Sequence, residues 1–154
     1  MTRTIEIPGR PALVLAHLVF DVNGTIAERG VLIDGVAPML GELRGTLDIH
    51  LLSADTFGSL DSVGSALGVE AHAVKGGHEK VDYVRRLGSQ HCAAIGNGAN
   101  DAAMLQDVAL GIAIIGAEGA AAVTMVAADV VCRTIEDALG LLLDERALVA
   151  TLRA

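Results

Sequence analysis

The sequence predicts one three-layer α/β domain spanning residues 1–154, with a mostly parallel central sheet and an N-terminal β-hairpin. Three observations lead there. Short apolar runs alternate with helical patterns of about ten residues, the rhythm of βαβ units. The runs are apolar throughout instead of alternating, as in strands covered on both faces. Hydrophobic residues make up 52% of the chain but aromatic residues only 2%, so the core is built from Leu, Val, Ile and Ala, and there is enough of it for one domain but not two.

Residues 4–7 read as a short strand that stops at the turn pair Pro8-Gly9, and Leu13 to Phe20 as a second run, the two forming the hairpin that feeds the central strand. Val36 to Leu43 is a helix, with Pro38 in its first turn. Leu47 to Leu52 is a buried strand ending at Ser53. Phe57 to Leu67 is helical and stops at Gly68; Val69 to Val74 is a strand. Glu79 to Leu87 is a helix closed by Gly88. Cys92 to Ile95 is a strand broken by Gly96-Asn97-Gly98, with a helix from Ala99 to Leu105. The pattern then repeats as strand Leu110–Ile115, helix Ala120–Ala127, strand Val130–Cys132 and helix Ile135–Leu143, which the tail from Glu145 continues. Between Asn23 and Ser53 there is room for one helix and one strand, not for an inserted cap domain, so any site at the strand ends is open unless a second subunit covers it.

Composition excludes several functions. A net charge of −8 disfavours a nucleic-acid backbone binder. No run of eighteen apolar residues is free of polar breaks, which argues against membrane insertion, and no basic segment followed by an apolar core opens the chain, so the expected location is cytoplasmic. Cys92 and Cys132 lie far apart without metal-ligand spacing and read as buried free thiols.

The chemistry-bearing residues recur at strand ends, where open α/β sheets gather ligands. Leu18-Val19-Phe20-Asp21-Val22-Asn23-Gly24-Thr25 sets an acid at the tip of a buried strand, ahead of a glycine turn and a hydroxyl. A carboxylate there can attack phosphorus, hold a hard cation, or both. Ser53 ends the next apolar strand and can donate to a phosphoryl oxygen. Lys80, early in a helix, offsets negative charge, and Lys75 competes for that role. Asn97 and Asp101, with Asp21, offer oxygen ligands to Mg²⁺. Each has a plainer reading. Asp21 can cap a turn, Ser53 can be a loop hydroxyl, Lys80 a solvated lysine, Asn97 a turn former and Asp101 a helix N-terminal acid. Asp55 and Thr56 read as helix caps. His17 and His50 read as structural, while His72 and His78 fall in loops, with His78 within reach of a substrate at an open mouth.

As an ordered set, Asp21-Val22-Asn23-Gly24-Thr25, Ser53, Lys80 and Gly96-Asn97-Gly98-Ala99-Asn100-Asp101 resemble the four motifs of the haloacid-dehalogenase-like hydrolases, over residues 13–143. The chain is most similar to the Rossmann-like phosphorylation domain of P-type ATPases and its soluble, cap-less relatives. The segments Leu52-Ser53-Ala54-Asp55-Thr56 and Ala109-Leu110-Gly111-Ile112-Ala113 carry that likeness. The resemblance implies a Mg²⁺-dependent phosphohydrolase in which Asp21 becomes an aspartyl phosphate. It also implies that the Asn23 backbone carbonyl joins Asp21, Asn97 and Asp101 in holding the metal. Two positions depart from the pattern. Asn23 stands where many family phosphatases carry an acid/base Asp, and an amide cannot take that proton. Such help is worth ~10²–10⁴-fold, so slow turnover is expected. Asn97 stands where an Asp is common and is a weaker Mg²⁺ ligand. The expected partner is a phosphorylated small molecule or protein, and a homo-oligomer would cover the open site. The alternative is a phosphate-binding or regulatory protein that keeps the fold with little catalysis.

Overall fold

The computed structural model describes residues 1–54, 58 and 60–154. Strands β1 (Arg3–Ile5) and β2 (Leu13–Leu15) pair antiparallel as the expected hairpin, a small sheet of its own. The run from Leu13 to Phe20 is not one strand. It divides at Ala16, whose N–H donates to the His91 carbonyl (2.8 Å) and whose carbonyl accepts from Asp48 N–H (2.9 Å). Beyond that point the chain enters the main sheet as β3 (His17–Asp21). A second hairpin, β4 (Ala27–Glu28) with β5 (Val31–Leu32), follows the Asp21 turn; its two-residue strands leave no readable pattern.

Helix α1 (Val36–Leu43) leads to β6 (Asp48–Ser53), helix α2 (Leu60–Leu67) and β7 (Ala71–Ala73). The last strand is shorter than expected because Val69 N–H turns back to the Gly64 carbonyl (2.9 Å). The Asp55 and Thr56 caps, and the start of α2 expected at Phe57, lie outside the described residues. Helix α3 (Gly77–Leu87) starts two residues earlier than expected and stops at Gly88, whose φ of 92° favours glycine. Strand β8 (Cys92–Gly96), α4 (Ala102–Asp107), β9 (Leu110–Ile114), α5 (Ala122–Ala127), β10 (Val130–Cys132) and α6 (Ile135–Leu143) complete the alternation. The tail does not continue α6. It is a separate helix, α7 (Glu145–Leu152), because the Asp144 carboxylate caps it by accepting from Arg146 N–H (3.1 Å) and Ala147 N–H (3.4 Å).

The main sheet has the order β10-β9-β8-β3-β6-β7, and every pairing in it is parallel. Alternate residues of β3 face different helices. Leu18 and Phe20 pack with α1, α2 and α6, whereas Val19 packs with α3 and α4. From β3 the chain winds outward through β6 and β7, then returns to lay β8 on the other side of β3. That reversal opens a crevice at the carboxyl ends of β3 and β8, the place where doubly wound sheets bind ligands. The link from β3 to β6 holds only the short hairpin and α1, so no cap domain is inserted there. Cys92 and Cys132 are buried free thiols, as expected. Among the described residues, no helix is long and apolar enough to cross a membrane.

Candidate functional site

Asp21 ends β3 at the crevice. The turn after it is wound around one carbonyl: Val22 O accepts from Thr25, Ile26 and Ala27 N–H at 3.2, 3.0 and 3.0 Å. Behind Asp21 lies Lys80 of α3, wholly buried, with Nζ donating to Asp21 Oδ1 (2.7 Å) and Asp101 Oδ1 (2.6 Å). Burial works against the Lys80 charge, but Asp21 and then Asp101 outweigh it and hold its pKa above that of an ordinary lysine. Asp21 is pushed the other way. Burial, and then the Asp101 charge, raise its pKa to about 6 against the pull of Lys80. Of the two lysines it is Lys80 that meets Asp21; Lys75 is exposed, and its backbone N–H donates to the Glu79 carboxylate (2.7 Å).

Asp101 is fully buried and both its oxygens are used, Oδ1 by Lys80 and Oδ2 by the N–H groups of Asn97 (3.1 Å) and Gly98 (3.0 Å). It ties the β8 loop to the lysine and does not line the cleft. Asn97 does. Its Nδ2 donates to Gly119 O (2.9 Å), which leaves Oδ1 facing Thr25 Oγ1 (3.5 Å), a hydroxyl that also lies 3.4 Å from Asp21 Oδ2. Asn23 accepts from Gly30 N–H (3.1 Å) through Oδ1, so the second hairpin fixes the amide; its buried Nδ2 has no partner. Ser53 is buried at the end of β6 and lines the cleft.

The cleft measures about 350 Å³, within the ~300–1,000 Å³ of small-ligand sites. Asp21, Asn23, Ser53, Asn97, Asn100 and Glu118 line it. The structure thus gathers Asp21, Asn23, Ser53 and Asn97 at one mouth and sets Lys80 and Asp101 directly behind. Glu118 escaped the sequence reading, although it follows the carboxyl end of β9 and the strand-end rule that found the others would have reached it. His78 lies in the first turn of α3 and does not line the cleft; His72 belongs to β7 and not to a loop.

The donors facing the cleft are oxygens and amides, with no thiol or imidazole, which suits a hard cation such as Mg²⁺. Among the described residues, no three His, Cys, Asp or Glu side chains form a ready-made metal cage.

Two solved structures match most of this chain. A 3-deoxy-D-manno-octulosonate 8-phosphate phosphatase from Moraxella catarrhalis, in complex with a magnesium ion, a phosphate ion and a KDO molecule, aligns with a TM-score of 0.65 at 17% identity, over 90% of this chain and 94% of that one. A zinc-transporting PIB-type ATPase aligns with a TM-score of 0.65 at 25% identity, over 79% of this chain but 20% of the pump. The chain has the haloacid-dehalogenase-like hydrolase fold. An uncharacterized protein of Methanocaldococcus jannaschii is 52% identical over 60 residues, 39% of this chain, and the match spans 64% of that relative's length. No family model matches. Within this fold, Asp21, Ser53 and Asn97 stand at the carboxyl ends of the neighbouring strands β3, β6 and β8, with Lys80 and Asp101 behind them.

Proposed function

We propose that this protein is a Mg²⁺-dependent phosphohydrolase that carries the phosphoryl group on Asp21. The observation that supports it most is Lys80 Nζ, fully buried and 2.7 Å from Asp21 Oδ1 at the tip of the central strand. A buried cation held by two carboxylates keeps Asp21 oriented and makes its anionic form accessible near neutral pH.

Asp21, through the Oδ2 that Lys80 does not bind, forms a bond to phosphorus as the bond from phosphorus to the leaving oxygen breaks. Ser53 donates to a phosphoryl oxygen. The leaving oxygen takes its proton from solvent, because the Asn23 amide has none to give near neutral pH. Water then attacks the phosphorus, phosphate departs, and the Asp21 carboxylate is restored. Asp21, the Asn23 backbone carbonyl and Asn97 Oδ1 would hold Mg²⁺, whose charge would offset that of the phosphoryl oxygens. Asp101 serves that group from behind, by fixing Lys80 and the Asn97 loop.

The Asn23 amide, held by Gly30 N–H, also favours a second reading, a phosphate-binding protein with little turnover, since an amide does not move the protons that turnover needs. One experiment separates the two. Phosphate release from an aryl phosphate is followed with Mg²⁺, with EDTA and with Asp21→Asn, and the same samples are assayed for an acid-stable, hydroxylamine-labile protein phosphate. The proposal expects Mg²⁺-dependent release, or trapped phosphoprotein, that the variant loses. Phosphate binding with neither signal establishes the second reading. Equal activity in Asp21→Asn and wild type sinks the first.

A further inference from the structure

The family's usual carboxylate is missing at Asn97, yet the cleft has not lost a negative charge. Glu118 brings one. The loop that carries it is stitched to the Asn97 loop at three points. Asn97 Nδ2 donates to Gly119 O (2.9 Å), Ala121 N–H donates to Asn97 O (2.9 Å), and Thr124 Oγ1 donates to Gly98 O (2.6 Å). The backbone beside Glu118 is therefore tied to Asn97. Its carboxylate stands over the turn after Asp21: a Cβ built on Gly24 would fall 2.4 Å from Glu118 Oε2 and 2.6 Å from Asn97 Nδ2. With a φ of +82° as well, Gly24 is the residue that leaves room for both.

Charge balance gives Glu118 its role. Asp21 and Asp101 against Lys80 leave one net negative charge, too little to balance a dication, and Asn97 adds none. Glu118 supplies the second. We infer that Glu118 replaces, from the loop after β9, the carboxylate that position 97 lacks, and so completes a divalent-cation site with Asp21 and Asn97. The carboxylate need not touch the ion, because Mg²⁺ retains several of its waters and a neighbouring carboxylate can hold them. This inference rests on the proposed Mg²⁺-dependent function, and it predicts where the cation affinity resides.

The test reads cation binding directly, without substrate. Mn²⁺ is titrated into the protein, free Mn²⁺ is followed by electron paramagnetic resonance, and Mg²⁺ is added as competitor. Wild type is compared with Glu118→Gln, Asn97→Asp, the double variant, and Glu42→Gln as a control for net charge, since Glu42 is an exposed residue of α1. Glu118 is exposed and Gln is its isostere, so the metal-free melting temperature should not move. Outer carboxylates of metal sites contribute ~10–100-fold to affinity, so Glu118→Gln is expected to bind Mn²⁺ at least about tenfold more weakly, with Glu42→Gln unchanged. Asn97→Asp should bind more tightly than wild type and should lose much less when Glu118→Gln is added. Wild-type affinity in Glu118→Gln, or an equal loss in both Gln variants, overturns the role of Glu118 while leaving the Mg²⁺-dependent function standing. No Mn²⁺ binding by wild type overturns both.

Discussion

His17 and Asp21 stand at opposite ends of β3 with their side chains on the same face of the sheet; α3 meets Asp21 directly and reaches His17 only through His50 of β6. At the carboxyl end the partner is Lys80. At the amino end His17 Nδ1 lies 3.1 Å from His50 Nε2, and His50 Nδ1 lies 3.0 Å from Tyr83 Oη. Lys80 and Tyr83 are three residues apart, neighbours on one helical face. The environments are alike in fold, but the charge is handled in opposite ways. Lys80 stays ionised because two buried carboxylates flank it. His50 stays neutral: burial, then the neighbouring His17, lower its pKa to about 4, and the exposed Asp48 does not make up the difference. Burial alone removes charge; what retains it at the crevice is a counter-charge within hydrogen-bonding distance.

The strongest way to break this contrast is to take the cation from the charged end. Lys80→Met leaves Asp21 and Asp101 buried with no positive partner, and losing one member of a buried ion pair costs ~3–5 kcal/mol. Chemical denaturation of the metal-free protein is expected to show a loss of that size, partly recovered in Lys80→Met/Asp101→Asn. A Lys80→Met protein as stable as wild type would mean that the carboxylates protonate at little cost and that the cluster is held by packing.

A second test adds charge to the same end. Asn23→Asp restores a group able to exchange protons beside Asp21. If the Asp21 phosphate forms and decays slowly for want of an acid/base, the variant should hydrolyse it ~10²-fold faster or more. Single-turnover decay of the trapped phosphoprotein reads the step directly. Unchanged decay would show that the missing acid/base at position 23 does not set the rate.

Much of this contrast is legible in the sequence, and the remainder is not for identifiable reasons. Asp21, Ser53 and Asn97 can be read because a buried apolar run ending in a polar residue and a turn is a local signal, and parallel strands bring such ends together. Lys80 is legible as one of two lysines; which of them turns inward depends on the start of α3, at Gly77, two residues before the expected point. Glu118 follows a strand end, as the others do, but its loop has no periodicity of its own and is held by the bonds that Gly119, Ala121 and Thr124 make with the remote Asn97 and Gly98. The His17–His50 pair depends on the register that sets His17 beside Asp48 in neighbouring parallel strands, and no local pattern encodes that. The hairpin of β4 and β5, which fixes Asn23, is too short to leave a pattern at all.

The finest test uses pH, because the two ends should respond in opposite directions. Asp21 has a raised pKa of about 6 in the folded chain, so between about 4 and 6 the folded state binds more protons than the unfolded one. Its contribution is fully present below its ordinary carboxylate value and is lost as pH rises through about 6. His50 has a folded pKa lowered to about 4, so over the window from the ordinary imidazole value of 6.5 down to about 4 the unfolded state binds more protons. Its contribution is present above 6.5 and is lost as pH falls. Where the windows overlap the two oppose each other, and the metal-free wild type should show a shallow dependence. Asp21→Asn removes the compensating term, so acidification from about pH 6.5 to about 4.5 should cost that variant more stability than it costs wild type. His50→Gln removes the opposing one and should leave stability rising as pH falls across that range. Because His50 is only half-buried, solvent screens much of its shift, and the change is expected to be on the order of 1 kcal/mol. Urea unfolding of the metal-free proteins across that range reads both signs. Parallel curves for the two variants would mean that neither end governs the response, and that the difference in how they hold charge has no consequence for stability.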